Sequence, residues 1–182
     1  MDSLIIAFLV AGIVIAGMIV WFISMMNRFA RLVVKITESD SGIDVALTKR
    51  YDTLTKMLDV TRGYAKHEAE VLANMVKLRT GMNMAERGAA NRQMDDLAGK
   101  LHILAESYPD LKASENYKQL QISVTEVEEH LQAARRIYNM NVSAFNQLLA
   151  IWPASLVGRS KGHTPKEFFE ADEHKKQDVK IE

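Results

Sequence analysis

An uncharged run of 25 residues, from Ser3 to Asn27, lies near the amino terminus of the chain. Within it, residues 4–23 are almost all Leu, Ile, Val, Phe, Ala and Gly. About 20 helical residues, at about 1.5 Å each, cross the roughly 30 Å hydrocarbon core of a bilayer. A helix is the expected form in lipid because it satisfies its own backbone hydrogen bonds. The sequence therefore predicts a transmembrane anchor over residues 1–27.

Two other interpretations fit this run less well. A cleaved signal peptide has a basic start, a shorter apolar core and a small-residue cleavage site, whereas this chain starts Met-Asp-Ser and leaves the run through Ile-Ser-Met-Met-Asn. A fully apolar core helix of this length is not expected in 182 residues. Arg28, Arg31 and Lys35 follow the run, and basic residues stay on the cytoplasmic side of a membrane. We expect a single-pass protein with its N-terminus outside.

The remaining composition describes one water-soluble helical domain, over residues 28–170. About 155 residues follow the anchor, which is enough for one core. The chain has 23 basic and 23 acidic side chains, interleaved along its length, so no basic stripe indicates a nucleic-acid partner. It has no cysteine, which excludes disulfides and thiolate chemistry. The fold class predicted is all-α: an N-terminal transmembrane helix followed by an antiparallel bundle of long helices.

Three long helices are expected in this domain. The first extends from the membrane exit to about Thr80, with a weak point at Gly42, and the second covers about residues 89–107 after a loop at 81–88. Apolar residues at steps of three and four define the buried face of the first helix. This stripe also includes polar positions, and its members are Leu47, Tyr51, Leu54, Leu58, Thr61, Ala65, Glu68, Leu72 and Met75.

The third helix, over about residues 114–151, has the most regular pattern. Apolar residues at alternating steps of three and four form a stripe along it, which we call the seam. The spacing shifts by one residue at about 138–141, and the stripe then continues to Trp152. The seam residues are Tyr117, Leu120, Val124, Val127, Leu131, Ala134, Tyr138, Val142, Phe145, Leu149 and Trp152. Capping-box spacing after Thr164 predicts a short tail helix carrying Phe168 and Phe169. Either this tail or a second subunit is expected to cover the end of the seam, and residues 171–182 are expected to be disordered.

Five motifs occur in order over nearly the whole chain. They are IDVALTKRYD at 43–52, GYAKHE at 63–68, YPDLKA at 108–113, ARRIYN at 134–139, and FFE at 168–170, with Asn146 and Pro153 between the last two. Together these motifs resemble the LemA family of bacterial proteins. Many members carry a proline where this chain has Thr55, so an uninterrupted helix is expected here. The resemblance implies a tethered antiparallel bundle in the bacterial cytoplasm, at the cytoplasmic (inner) membrane. It implies no reaction.

No residue pattern indicates a catalytic, cofactor or metal site. A zinc protease motif needs a second His four residues after His67, but that position is Val71. None of the five histidines has a Glu three residues before it, as a di-iron bundle requires. No nucleophile elbow and no glycine-rich phosphate loop is present. We therefore predict no catalytic residue, no cofactor and no metal.

Polar residues within the predicted seams are the remaining candidates for a site. Glu68 and Thr61 interrupt the first stripe and Asn141 interrupts the third, and a buried carboxylate is costly unless paired. One interpretation is that Glu68 finds a partner and sets helix register. The other is a polar pocket or interaction site, for which the candidates are Tyr64, His67, Glu68, Tyr138, Asn139 and Asn141.

The function expected is a membrane-anchored, non-enzymatic helical scaffold or adaptor. Its expected partners are the lipid bilayer, an unknown protein and, as a homo-oligomer, a second copy of the chain. The alternative is a membrane-bound enzyme or ligand sensor with an unrecognised site. The two differ in one observable: stable but inactive variants at Tyr64, His67 and Glu68 would favour the site.

Overall fold

The computed structural model describes residues 2–73 and 81–169, and within them the backbone forms helices and no strand. The all-α prediction is therefore confirmed. The helices are α1 (Asp2–Arg62), α2 (Lys66–Leu72), α3 (Met84–Ser107), α4 (Pro109–Ala113), α5 (Glu115–Ala150) and α6 (Ala154–Ser160). The chain divides into two units: unit 1 is Met1–Glu38 with Met140–Lys166, and unit 2 is Ser39–Asn139 with Glu167–Glu182.

Unit 1 packs the end of α5 and all of α6 against one aromatic residue of α1. Phe29 is buried, and its ring lies 5.8 Å from the Phe145 ring and 5.2 Å from the His163 ring. Gly158 of α6 permits this packing, because a Cβ there would lie 2.5 Å from Leu149 Cδ1 and 2.8 Å from Phe29 Cζ. Residues 2–24 of α1, by contrast, are all exposed. This segment of α1 is long and apolar enough to cross a membrane.

Unit 2 contains the last part of α1, from Ser39 to Arg62, and α3, and these two helices run in the same direction. Arg87 of α3 contacts Asp40 near the start of this part of α1, and Asp95 of α3 contacts Arg50 farther along α1. Residue numbers therefore increase in the same direction along both helices, which are parallel. Of the residues between these two helices, α2 is the helical part within the described ranges, and residues 74–80 lie outside those ranges.

The helix α5 runs opposite to both of these helices in unit 2. Its first turn contacts the end of α3, where the Tyr117 hydroxyl donates to the Leu101 carbonyl at 2.9 Å. Farther along α5, Glu128 contacts Arg50, which lies midway along the part of α1 that belongs to unit 2. The long third helix is confirmed within one residue at each end, and it is the antiparallel member of the bundle.

The predicted first helix is too long at its C-terminal end. It ends at Arg62, where Gly63 and Tyr64 turn the chain and Ala65 takes a non-helical conformation, with φ −140° and ψ 68°. The part of the predicted helix from residue 74 to 80, including the seam residue Met75, lies outside the described residues. No break occurs at Gly42, the predicted weak point, because α1 continues through it. Gly costs about 1 kcal/mol in a helix interior, which the burial of neighbouring Ile43 offsets.

Thr55 lies in unbroken helix as expected. The second helix starts five residues earlier than predicted, at Met84, because Asn83 caps it. The Asn83 side chain accepts from the Glu86 backbone N–H, and the Glu86 carboxylate accepts from the Asn83 N–H, each at 2.9 Å. Gly88 therefore lies inside α3 instead of in a loop.

The predicted tail helix after Thr164 is wrong. Residues 163–169 form no helix, and α6 lies before them instead. The Phe169 backbone N–H, which a helix starting at Pro165 would pair with the Pro165 carbonyl, donates instead to the Asn139 side chain of α5. The Lys166 N–H donates to the Asn146 side chain of α5. Phe169 is buried and Phe168 is exposed. Glu170 and the tail 171–182 lie outside the described residues.

Candidate functional site

A buried arginine joins three helices of unit 2. Arg50 of α1 is 3% exposed, and its guanidinium donates to the Asn91 and Asp95 side chains of α3. The same group forms an ion pair with Glu128 of α5 at 2.8 Å. Two carboxylates and one amide oxygen thus compensate one buried cation. Removing such an interior charge partner is costly because it leaves the other charges uncompensated.

A second buried arginine ties α3 to α1 in the same unit. Arg87 donates through Nη1 to Asp40 and through Nη2 to Asp44, the latter at 3.0 Å. The guanidinium is a planar fork of donors, and two carboxylates one helical turn apart match its geometry. The Arg87 side chain is 8% exposed, whereas the carboxylates reach solvent. Arg87 therefore fixes the start of α3 on α1.

A third contact of unit 2 joins a side chain of α5 to the backbone of Phe169. We call residues 163–169, which follow α6, the C-terminal segment. The Asn139 side chain donates from Nδ2 to the Phe169 carbonyl at 2.9 Å and accepts from the Phe169 N–H at 2.8 Å. The Phe169 ring is 2% exposed, and the Arg135 guanidinium lies over it, 4.7 Å from its centroid. The paired hydrogen bonds satisfy both backbone polar groups of Phe169, and the ring supplies apolar burial. We call these three residues the Asn139 clamp.

Tyr138 supports the segment beside the Asn139 clamp. Its hydroxyl donates to the Glu167 carbonyl at 3.0 Å. Burial raises the pKa of Tyr138, and the Asp40 carboxylate raises it further while Arg87 lowers it. The hydroxyl therefore stays protonated, as a donor to a carbonyl must be.

Unit 1 contains a clamp of the same kind, formed by Asn146 of α5. Its side chain donates to the Lys166 carbonyl at 2.9 Å and accepts from the Lys166 N–H at 2.8 Å. Asn141 also acts within unit 1, donating from Nδ2 to the Lys35 carbonyl of α1 at 3.2 Å. The phase change in the α5 seam thus places a polar residue against α1 backbone.

Comparison with known proteins supports the family that the sequence motifs indicate. A model of the LemA family matches residues 39–182, well over half of the chain. The chain belongs to the LemA family. Protein LemA of Metamycoplasma hominis is 28% identical over 163 residues, which cover 87% of this chain and 74% of that protein.

Two relatives named as magnetosome proteins share a shorter stretch with this LemA family chain. MamQ 2 of Paramagnetospirillum magneticum is 28% identical over 72 residues, covering 40% of this chain and 26% of that protein. MamQ of Magnetospirillum gryphiswaldense is 24% identical over 71 residues, covering 39% and 26%. The chain matches about a quarter of each.

The LemA motifs correspond to the contacts described above. The motif at 43–52 contains Arg50 and Asp44, and the motif at 134–139 contains Arg135, Tyr138 and Asn139. The last motif contributes the buried Phe169, and Asn146 forms the second clamp. Residues far apart in sequence are thus brought together to hold the helices and the C-terminal segment.

Three of the predicted candidates do not lie in a buried seam. Glu68 is exposed, and the seam position assigned to it is wrong because the break after Arg62 changes the helical phase. Its carboxylate accepts from the Tyr108 hydroxyl at 2.9 Å; a backbone hydrogen bond and then this hydroxyl lower the pKa of Glu68. Tyr64 and His67 are exposed as well. By contrast, Thr61 is fully buried and donates to the Met57 carbonyl.

The buried arginine and asparagine side chains of unit 2 have a structural role. Arginine stays charged at any physiological pH and an asparagine amide does not titrate, so neither is a general acid or base. In residues 2–73 and 81–169, no three His, Asp or Glu side chains group as metal ligands. The geometry is that of a framework that binds backbone and orders helices.

Sequence patterning missed both arginines. Arg50 lies three residues after Leu47 and four before Leu54, both buried, so helical spacing alone could have placed it on the buried face. Arg87 had no such signal, because the sequence assigned it to a loop and a loop residue has no helical phase.

Proposed function

We propose that this LemA family chain is a single-pass protein of a bacterial cytoplasmic (inner) membrane whose domain is a non-enzymatic scaffold. Its helices bind protein partners, or a second copy of the chain, on the cytoplasmic side. The single observation that supports a scaffold is the use of the motif residues. Arg50, Asn139 and Asn146 bind other parts of the same chain, which leaves surfaces of helices as the means of contact.

The proposed anchor rests on the exposed apolar start of α1. Residues 4–23 supply about 30 Å of helix, which matches the hydrocarbon core. Most large apolar side chains along it are more than half exposed, for example Phe8 at 76% and Ile13 at 72%. Such a surface is unfavourable in water and favourable in lipid. The basic residues after the span favour the cytoplasmic side for the domain.

One groove of unit 2 is the proposed contact surface. It lies between α1 and the start of α5, with Val60 and Leu120 as apolar lining and Lys56 and Asp59 on its border. Asn116 and Gln119 of α5 complete the lining. An apolar strip beside charges of both signs suits a polar protein surface with an apolar centre.

The scaffold is tested by site-specific photo-crosslinking of the full chain in native membranes. A photoreactive residue at Gln119, in the groove, is compared with one at Gln93, an exposed residue of α3. We expect a discrete protein adduct from Gln119 that is absent from Gln93, and that Lys56→Glu removes it while Lys118→Glu does not. An adduct of twice the chain mass identifies a homo-oligomer. Equal labelling at both positions, or none, contradicts the groove.

Orientation is tested by cysteine labelling in intact cells, since the chain contains no cysteine of its own. Ser3→Cys is expected to react with an impermeant thiol reagent, and Ala133→Cys, on exposed α5, is expected to react only after lysis. Gly162 is a poor position because its φ of +71° strains any other residue. The reverse labelling pattern would place the domain outside.

The enzyme or sensor alternative makes a different prediction. Combined replacement of Tyr64→Phe, His67→Gln and Glu68→Gln would abolish the biological activity while stability and the Gln119 adduct stay unchanged. A scaffold keeps its activity through this change, because all three side chains are exposed and lie outside the groove.

A further inference from the structure

The corner between α5 and α6 exposes large apolar side chains within unit 1. Ile151 is 58% exposed, Trp152 is 76% exposed and Leu156 is 60% exposed. The corner is nevertheless held in place, because Ala154 and Val157 beside them are buried. Three exposed apolar residues in a short, packed segment indicate a surface that meets something apolar.

The position of this corner along α1 follows from contacts within unit 1. Asn141 contacts Lys35, and Phe145 contacts Phe29, so α5 runs towards the apolar end of α1 as its numbers increase. The remaining five residues of α5 extend about 7–8 Å further. The same distance along α1 from Phe29 reaches about Ser24. The corner is therefore level with the end of the apolar span.

The charge around the corner differs from that of the chain as a whole. After the span, unit 1 contains a single acidic residue, Glu38, while the whole chain is balanced at 23 basic and 23 acidic residues. Its basic residues are Arg28, Arg31, Lys35, Arg159, Lys161 and Lys166. Arg159 and Lys161 follow the apolar corner directly and are exposed. The balance is kept because unit 2 is acidic.

We propose that the α5–α6 corner is a second membrane contact, specific for anionic phospholipid. Ile151, Trp152 and Leu156 enter the edge of the hydrocarbon region, and Arg159 and Lys161 bind headgroups that carry a net negative charge. Tryptophan favours the membrane interface because one part of its ring is apolar and its N–H is polar. Each basic side chain near an anionic surface strengthens attachment about five-fold. The inference rests on the proposed anchor, which brings the corner to the membrane.

The two tryptophans of the chain, Trp21 and Trp152, permit separate tests of the anchor and the corner. Full-length Trp21→Phe retains Trp152 as the single fluorophore, and full-length Trp152→Phe retains Trp21. Each variant is reconstituted in vesicles whose lipids carry bromine on the acyl chains near the headgroup. One vesicle set is pure phosphatidylcholine and the other contains phosphatidylglycerol.

We expect quenching of Trp21 in both vesicle sets, and quenching of Trp152 that is several-fold greater with phosphatidylglycerol and falls with added salt. Replacing Arg159 and Lys161 together by Gln should reduce Trp152 quenching to its level in phosphatidylcholine. The matched pair Arg92→Gln and Lys118→Gln, two exposed basic residues of unit 2, should leave it unchanged.

The other outcomes overturn one proposal or the other. If Trp21 is quenched and Trp152 is not, the anchor stands and the corner contact is wrong. Equal Trp152 quenching in both lipids, insensitive to salt, overturns recognition of anionic headgroups. If neither tryptophan is quenched, the proposed anchor itself is wrong.

Discussion

The two units of the chain use α5 in the same way but are stabilised by different chemistry. In each, an asparagine of α5 binds the backbone of the C-terminal segment, Asn139 in unit 2 and Asn146 in unit 1. The interior of unit 1 is otherwise an aromatic cluster around Phe29, against which Gly158 packs closely. Unit 2 instead buries two arginines, Arg50 and Arg87, between its helices. Unit 1 should be sensitive to side-chain volume, and unit 2 to the loss of a charge. The comparison shows that a single long helix supports both kinds of interior.

The largest expected effect is the loss of the buried charge at Arg50. Arg50→Ala leaves Asp95 and Glu128 without their cation, so we expect a loss of about 3–5 kcal/mol in the free energy of unfolding. The measurement is denaturant unfolding of the full chain in detergent micelles. Arg62→Ala is the control, because its ion pair with Asp59 is exposed and should matter by about 1 kcal/mol at most. Equal effects of the two variants would refute charge control of unit 2.

A methyl group at Gly158 tests the dependence of unit 1 on volume. Gly158→Ala places a Cβ 2.5 Å from Leu149 Cδ1, and overpacking of this kind costs about 1–3 kcal/mol. Gly99→Ala in α3 is the control, since it has open space and should stabilise the helix by up to about 1 kcal/mol. Thermal unfolding of both variants is the measurement. If Gly158→Ala is stabilising too, the close packing around Phe29 is wrong.

The Asn139 clamp should have an intermediate effect, seen best as local opening. Asn139→Ala removes both hydrogen bonds to Phe169 and should cost about 1–3 kcal/mol. Asn139→Asp keeps the acceptor for the Phe169 N–H but sets a carboxylate against its carbonyl. We expect faster hydrogen exchange at the Phe169 amide in both variants. Asn146→Ala should speed exchange at Lys166 and leave Phe169 protected; unchanged Phe169 exchange in the Asn139 variants would argue against the clamp.

The smallest effect in ordinary buffers concerns the buried hydroxyl of Tyr117. Burial raises its pKa from 10.0 to about 12. A raised folded-state pKa stabilises the fold below pH 10 and the contribution is lost as the pH rises to about 12. Between these pH values, the free energy of unfolding should therefore fall more steeply for the unsubstituted chain than for the Tyr117→Phe variant. Unfolding midpoints compared across this window provide the measurement, and parallel curves would exclude Tyr117 as the cause.

Local patterns were sufficient where a single helix decides the outcome. The regular spacing of Leu131, Tyr138 and Phe145 predicted α5 within one residue at each end, and the burial of all three agrees with it. The prediction that Glu68 is buried failed, because spacing of three and four residues places side chains on one face only within an unbroken helix. One break at Gly63–Ala65 moved Glu68 to the surface. Gly42, an equally plausible break by composition, lies in continuous helix.

The sequence by itself determined the helical class, the apolar span, the family and the extent of α5, since each depends on composition or on neighbours along the chain. Only the tertiary structure decided the partners of Arg50, the shared direction of α1 and α3, and the binding of Phe169 by Asn139. The physical reason is the range of the interactions. Helical periodicity acts over three or four residues, whereas Arg50 meets Asn91, and Asn139 meets Phe169, across dozens of residues. The Phe169 backbone N–H, which a tail helix would pair with the Pro165 carbonyl, donates instead to Asn139, a partner that no local pattern identifies.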